Sequence, residues 1–153
     1  MTRRSAIAAF LAAPSARRRL ALEAGWELLR ARVLTLCPAP VYSTSLGRLV
    51  EADEPETAPL SNIWRDQASE IGRVVASVAA RLPFRAACLQ QAIAVRRMLR
   101  RRDISAMVYL GIARDRGERA QASQAAHAWV TVGTRVVSGD GVIEKFAIVA
   151  RFA

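Results

Sequence analysis

The hydrophobic period of this chain changes once, at Asp103. Before it, apolar residues recur at helical spacing; after it, they alternate. Trp64, Ala68, Ile71, Val75, Val78 and Leu82 form one continuous helical stripe. They predict a helix that Ser61 or Asn62 caps and Pro83 closes. Cys88, Ala92, Val95 and Leu99 share one face of a second helix beginning near Ala86. Gln90, Arg97 and Arg101 fall on its opposite face. Beyond Asp103, Val108, Leu110 and Ile112 alternate with Met107, Tyr109 and Gly111, which predicts a strand. Further strands are expected over 126–132, 135–138 and 146–152. Helices followed by antiparallel strands predict an α+β domain, with the Cys88 helix packed across a sheet of three or four strands.

The N-terminal part is predicted to be helical as well. Ser15 can cap a helix from Ala16 to Leu36, with Leu22, Trp26, Leu29, Val33 and Leu36 as its core-facing stripe. Arg17 to Arg19 sit unfavourably at its positive end, a strain that contact with a partner would relieve. Cys37, Pro38 and Pro40 end it, and Val41 to Leu60 reads as loop, including the acidic run Glu51 to Glu56. Arg3-Arg4 and the short run Ile7 to Ala13 faintly resemble an export signal, but Arg17-Arg18-Arg19 follow directly and favour a short helix. One domain is expected over 1–153, with helices and loop in 1–60 and a catalytic core in 61–153.

Composition narrows the function classes. The hydrophobic fraction is 52% and the charged fraction 24%, values of a folded domain. No apolar run approaches the roughly 20 residues of a membrane span. Two distant cysteines suggest a reducing, cytoplasmic compartment without a disulfide framework. One histidine and two cysteines do not make a typical structural zinc site. The net charge of +10 leaves nucleic acid, a membrane surface or an acidic partner open. The arginines are scattered apart from the cluster at 96–102, and no aromatics interleave to stack bases; solvated helix faces are the plain reading, and among partners an acidic peptide or protein is favoured over nucleic acid.

Candidate chemistry lies between Cys88 and Asp140. A thiol in the first turn of a helix meets unpaired N–H groups and the positive end of the dipole, which favour a thiolate. The alternative for Cys88 is a buried structural cysteine. His127, the only histidine, starts a strand that places it with Trp129 and Thr131. Gly133-Thr134 suits a two-residue type II′ turn. That turn pairs Val132 with Arg135, Val130 with Val137 and Ala128 with Gly139. It therefore sets His127 opposite Asp140, unless a bulge at Ser138-Gly139 breaks the register. The alternative is an imidazole and a turn aspartate that merely lie near each other. Cysteine, histidine and aspartate are the parts of a nucleophile, a base and an orienting acid. The backbone N–H of Cys88 would serve as an oxyanion donor, with Gln91 a better-placed second donor than Gln90. Cys37 has no nearby base and is read as structural. The polar stretch Arg114 to Gln124 would border the site as a substrate edge.

The run Cys88-Leu-Gln-Gln-Ala-Ile-Ala-Val-Arg-Arg-Met-Leu-Arg-Arg-Arg, then Val108-Tyr-Leu-Gly-Ile-Ala, Ala126-His-Ala-Trp-Val and Asp140, resembles the transglutaminase-like cysteine peptidases of lasso peptide biosynthesis. The resemblance spans about Leu82 to Asp140. It implies a transglutaminase-like or papain-like core and the roles nucleophile for Cys88, base for His127 and acid for Asp140. It further implies a bacterial stand-alone leader peptidase acting on a ribosomally made precursor. Its partners would be that precursor, a leader-recognition protein and a macrocyclase. No cofactor is implied for this chain, and any ATP dependence would come from the cyclase. An acyl transferase of the same type, or a catalytically silent basic peptide-binding module, are the alternatives.

Overall fold

The computed structural model describes residues 14–51, 61–114, 126–141 and 143–153. The segment 1–13, most of the acidic run and most of the polar stretch after Arg114 lie outside these residues.

Among the described residues, four α-helices and five strands follow in chain order: α1 (Ser15–Leu34), α2 (Ala39–Leu46), β1 (Leu49–Val50), α3 (Asn62–Ala79), α4 (Cys88–Arg100), β2 (Met107–Ala113), β3 (Ala126–Val132), β4 (Arg135–Ser138) and β5 (Phe146–Phe152). The strands form one sheet in the order β1-β5-β2-β3-β4, every pair antiparallel. The α+β reading therefore holds. The sheet has one more strand than expected, because Leu49 and Val50 pair with Phe152 and Arg151. α2 is also new: Pro38 stands at its N-cap, where a fixed φ and a missing N–H suit a helix start.

Helix ends explain how the chain turns. After α4, Asp103 adopts a left-handed φ of 54°. The Ile104 N–H bonds the Leu99 carbonyl and the Asp103 N–H bonds the Arg100 carbonyl, the two bonds of a Schellman stop. Leu99 and Ile104 are both buried, supplying the apolar contact that accompanies such a stop. The chain reverses there and enters β2.

Packing divides along the two faces of the sheet. Val108, Ala128, Val130, Val132 and Val137 join the helices in the main core, with Ile71, Val75, Ala92, Ile93, Val95 and Leu99. Met107, Tyr109 and Trp129 form a second cluster with Val50 on the other face. Tyr109 and Trp129 stack with ring centres 5.4 Å apart.

α1 departs from expectation. Its buried residues are Ala24, Glu27, Leu28 and Ala31. The whole expected stripe, Leu22, Trp26, Leu29, Val33 and Leu36, is exposed. The physical reason is ionic. Glu27 is completely buried and accepts hydrogen bonds from Arg97 Nε at 2.7 Å and Arg101 Nη1 at 2.9 Å. Glu23 accepts a two-pronged pair from Arg102 at 2.7 and 3.1 Å, and another bond from Arg101 Nε at 3.0 Å. A buried carboxylate needs such partners, so the two glutamates fix the rotation of α1 on α4.

Candidate active site

Cys88 is the first residue of α4, after Ala87 in extended conformation at the N-cap. The earliest backbone bond of the helix runs from the Gln91 N–H to the Ala87 carbonyl. The N–H groups of Cys88, Leu89 and Gln90 therefore precede the ladder, where a helix offers donors to an anion. The thiol is partly buried and packs against the helix-side core. Cys37 is exposed, and both cysteines are free.

The glutamines change places in importance. Gln90, expected on the polar face, is buried. Its Oε1 accepts the Ala87 N–H at 3.0 Å, and its Nε2 donates to Thr35 Oγ1 at 2.9 Å. Gln90 thus caps α4 and ties it to the end of α1. The Gln91 Nε2 donates to the Ala86 carbonyl at 3.0 Å, so in this arrangement its amide steadies the turn before Cys88. Nothing in the sequence around Gln90 marks it, since its second partner lies 55 residues away.

The hairpin carrying His127 starts as expected. Gly133 has a φ of 56° and Val132 pairs with Arg135, as a type II′ turn demands. Thr131 then pairs with Val136, but Val130 pairs with Ser138. Val137 is an extra residue, a bulge one step earlier than the place where a break was foreseen. The cause sits on α3: a Cβ at Gly72 would come within 1.7 Å of the Val137 carbonyl oxygen. Only glycine lets that carbonyl push against the helix.

The bulge corrects the register around His127. His127 Nε2 meets the Gly139 carbonyl at 2.9 Å, instead of the Asp140 carboxylate. Asp140 is exposed, and among the described residues it has no hydrogen bond to the imidazole. A carbonyl oxygen only accepts, so Nε2 carries the proton of the neutral ring and Nδ1 keeps the lone pair. The ring also stacks near Trp129 and Phe146, at 5.9 and 5.0 Å between centres. These contacts place His127 on the Trp129 face, whereas Cys88 packs with the cluster on the helix face. The structure gives no thiol–imidazole hydrogen bond among the described residues. The lengths of the elements direct both groups toward one end of the sheet. α4 rises about 20 Å and β2 about 23 Å, and the chain doubles back at Asp103. Cys88 therefore returns to the end of β2 where Gly111 pairs with His127.

Cys88 thus opens a helix, and His127 follows on a strand of the antiparallel sheet. Residues 33–151 match the Transglutaminase-like superfamily. The chain belongs to that superfamily. No curated protein and no solved structure matches it. Membership in the transglutaminase-like superfamily makes the class of activity that of a cysteine peptidase or acyl transferase. The match runs well beyond Leu82 to Asp140, taking in α2, α3 and β5, while almost all of α1 precedes it. Among the described residues no helix is long and apolar enough to cross a membrane.

Proposed function

We propose that this transglutaminase-like protein is a cysteine peptidase that removes the leader from a ribosomally made lasso precursor peptide. The observation that carries the chemistry is Cys88 at the opening of α4, with three N–H groups ahead of the helix ladder. The sequence resemblance narrows that thiol enzyme to a leader peptidase.

In this reading His127 Nδ1 takes the Cys88 proton as the thiolate attacks the scissile carbonyl carbon. The Cys88 backbone N–H receives the oxyanion. The imidazolium gives its proton to the departing amine, and a thioester remains. Water then cleaves the thioester, freeing the leader acid and the thiol. The first step requires the imidazole and thiol to approach, which substrate binding across the sheet end would have to drive. Gly139 holds Nε2 through its carbonyl, which fixes the orientation of the ring. A leader-recognition protein and a macrocyclase act beside the peptidase in this proposal; the chain itself needs no cofactor, and ATP serves the cyclase.

Mass spectrometry of the precursor, incubated with the peptidase and its leader-recognition partner, tests the assignment. Cys88→Ala should abolish cleavage and Cys37→Ala should leave it unchanged; cleavage by Cys88→Ala sinks the proposal. Iodoacetamide should label Cys88 faster than the more exposed Cys37 at neutral pH. Asp140→Asn should slow turnover only about tenfold, below the ~10⁴-fold loss of an acid bonded directly to its histidine. A loss of that larger size would mean that the carboxylate grips the ring during catalysis.

A further inference from the structure

We infer that the outward face of α1 is a docking surface for an amphipathic, acid-flanked helix of a partner protein. Leu22, Trp26, Leu29 and Val33 recur at helical spacing and fall on one side of α1. They are 64%, 59%, 46% and 58% exposed. Their row points directly away from the core, because Ala24, Leu28 and Ala31 occupy the opposite side and are fully buried. A lone exposed leucine means little, but four large side chains in one row, with a tryptophan among them, form the kind of patch that marks an interaction site.

Charge specifies the occupant. α1 holds two carboxylates, Glu23 and Glu27, and both turn inward to Arg97, Arg101 and Arg102. The outward side is left with arginine. At about 100° per residue, Arg19 and Arg30 flank the row on one edge and Arg32 on the other. Arg32 lies over the Phe84 ring at 5.9 Å, and Arg30 only grazes Glu27 at 4.0 Å, so both guanidinium groups keep donors for a further anion. Arginine forks match carboxylates in pairs, and Trp with Arg is the composition of binding hot spots. The complement is a helix with an apolar row and glutamate or aspartate on both shoulders. α1 lies almost wholly ahead of the part that matches the superfamily. This surface stands independently of the leader-peptidase proposal.

Fluorescence anisotropy with two labelled synthetic helices, each about 18 residues long, tests this. Both carry the same leucine row; one has glutamate on its shoulders and the other lysine. The glutamate helix should bind full-length protein with micromolar affinity, at least roughly tenfold tighter than the lysine helix, and weaken with salt. Trp26→Ser and Leu29→Ser should each reduce binding by roughly tenfold. Their melting temperatures should stay unchanged, because these side chains already face solvent. Equal binding of both helices, or none, overturns the inference. So does tighter binding to phosphatidylglycerol vesicles, or a concentration-dependent dimer that Trp26→Ser dissolves. Binding that appears only after deletion of residues 2–13 overturns it too, by naming that segment as the occupant.

Discussion

α1 and α3 carry similar rows of apolar residues, and the fold treats them in opposite ways. α3 turns Ala68, Ile71, Val74, Val75 and Ala79 into the core. α1 turns its larger side chains out and buries alanines, Leu28 and a glutamate. Spacing thus establishes that a helix has an apolar side, without saying which way that side faces. Orientation is decided by what the neighbour offers. α3 meets β4, whose bulged carbonyl fits only against Gly72. α1 meets the arginine-bearing side of α4, which pulls carboxylates inward.

The largest expected effect breaks the α3 side of this contrast. Gly72→Val should destabilise the protein by more than about 3 kcal/mol or prevent folding, because the new side chain collides with the Val137 backbone. Soluble expression and urea unfolding measure it; a variant within about 1 kcal/mol of the parent would show that the bulge is not seated by this contact.

A matched pair comes next. Ile71→Ala should cost about 2–5 kcal/mol in urea unfolding. Trp26→Ala on α1, a larger truncation, should change stability by no more than about 0.5 kcal/mol. Equal losses would show that α1 buries its row in solution.

Glu27→Gln probes the ionic lock itself. It keeps the shape while removing the charge that Arg97 and Arg101 share, and should cost about 2–3 kcal/mol. If the variant is as stable as the parent, packing alone sets the rotation of α1.

The smallest effect is a pH dependence. The Arg102 hydrogen bonds, aided by Arg101, hold the Glu23 carboxyl below its ordinary value of 4.5, against the opposing effect of burial. Because the folded value is the lower one, Glu23 stabilises the protein above pH 4.5, and that contribution fades as the pH falls through the folded value. Thermal melts from pH 6 down to 3 should show a steeper loss for the parent than for Glu23→Gln. Identical slopes would remove Glu23 from the lock.

The same contrast separates what was legible in the sequence from what was not. α3, α4, the strands β2 and β3 and the Gly133 turn each follow from a local pattern, and each is present. The helix-opening position of Cys88 was legible too, from Pro83 and the stripe that follows. The rest depended on residues far apart in the chain. The bulge at Val137 needs Gly72, and it shifts every later residue by one place, so that Asp140 no longer falls opposite His127 as the count from the turn had it. The orientation of α1 needs Arg97 to Arg102, seventy or more residues downstream of Glu27 or Glu23. β1 is two residues long and exists only through β5. α2 was masked by Pro38 and Pro40, which read as a stop when they also open a helix.

The strand order has a consequence in time. β5 lies between β1 and β2, although it follows β1 by about a hundred residues. As the chain is synthesised, β2 can pair with β3 early, while its other edge waits for Phe146 to Phe152 to emerge. Until then that edge, bearing Val108 and Tyr109, offers unpaired backbone groups to any strand nearby. Closing so distant a pairing is slow. The nascent protein is therefore most prone to mispair during the interval before β5 slides in between β1 and β2.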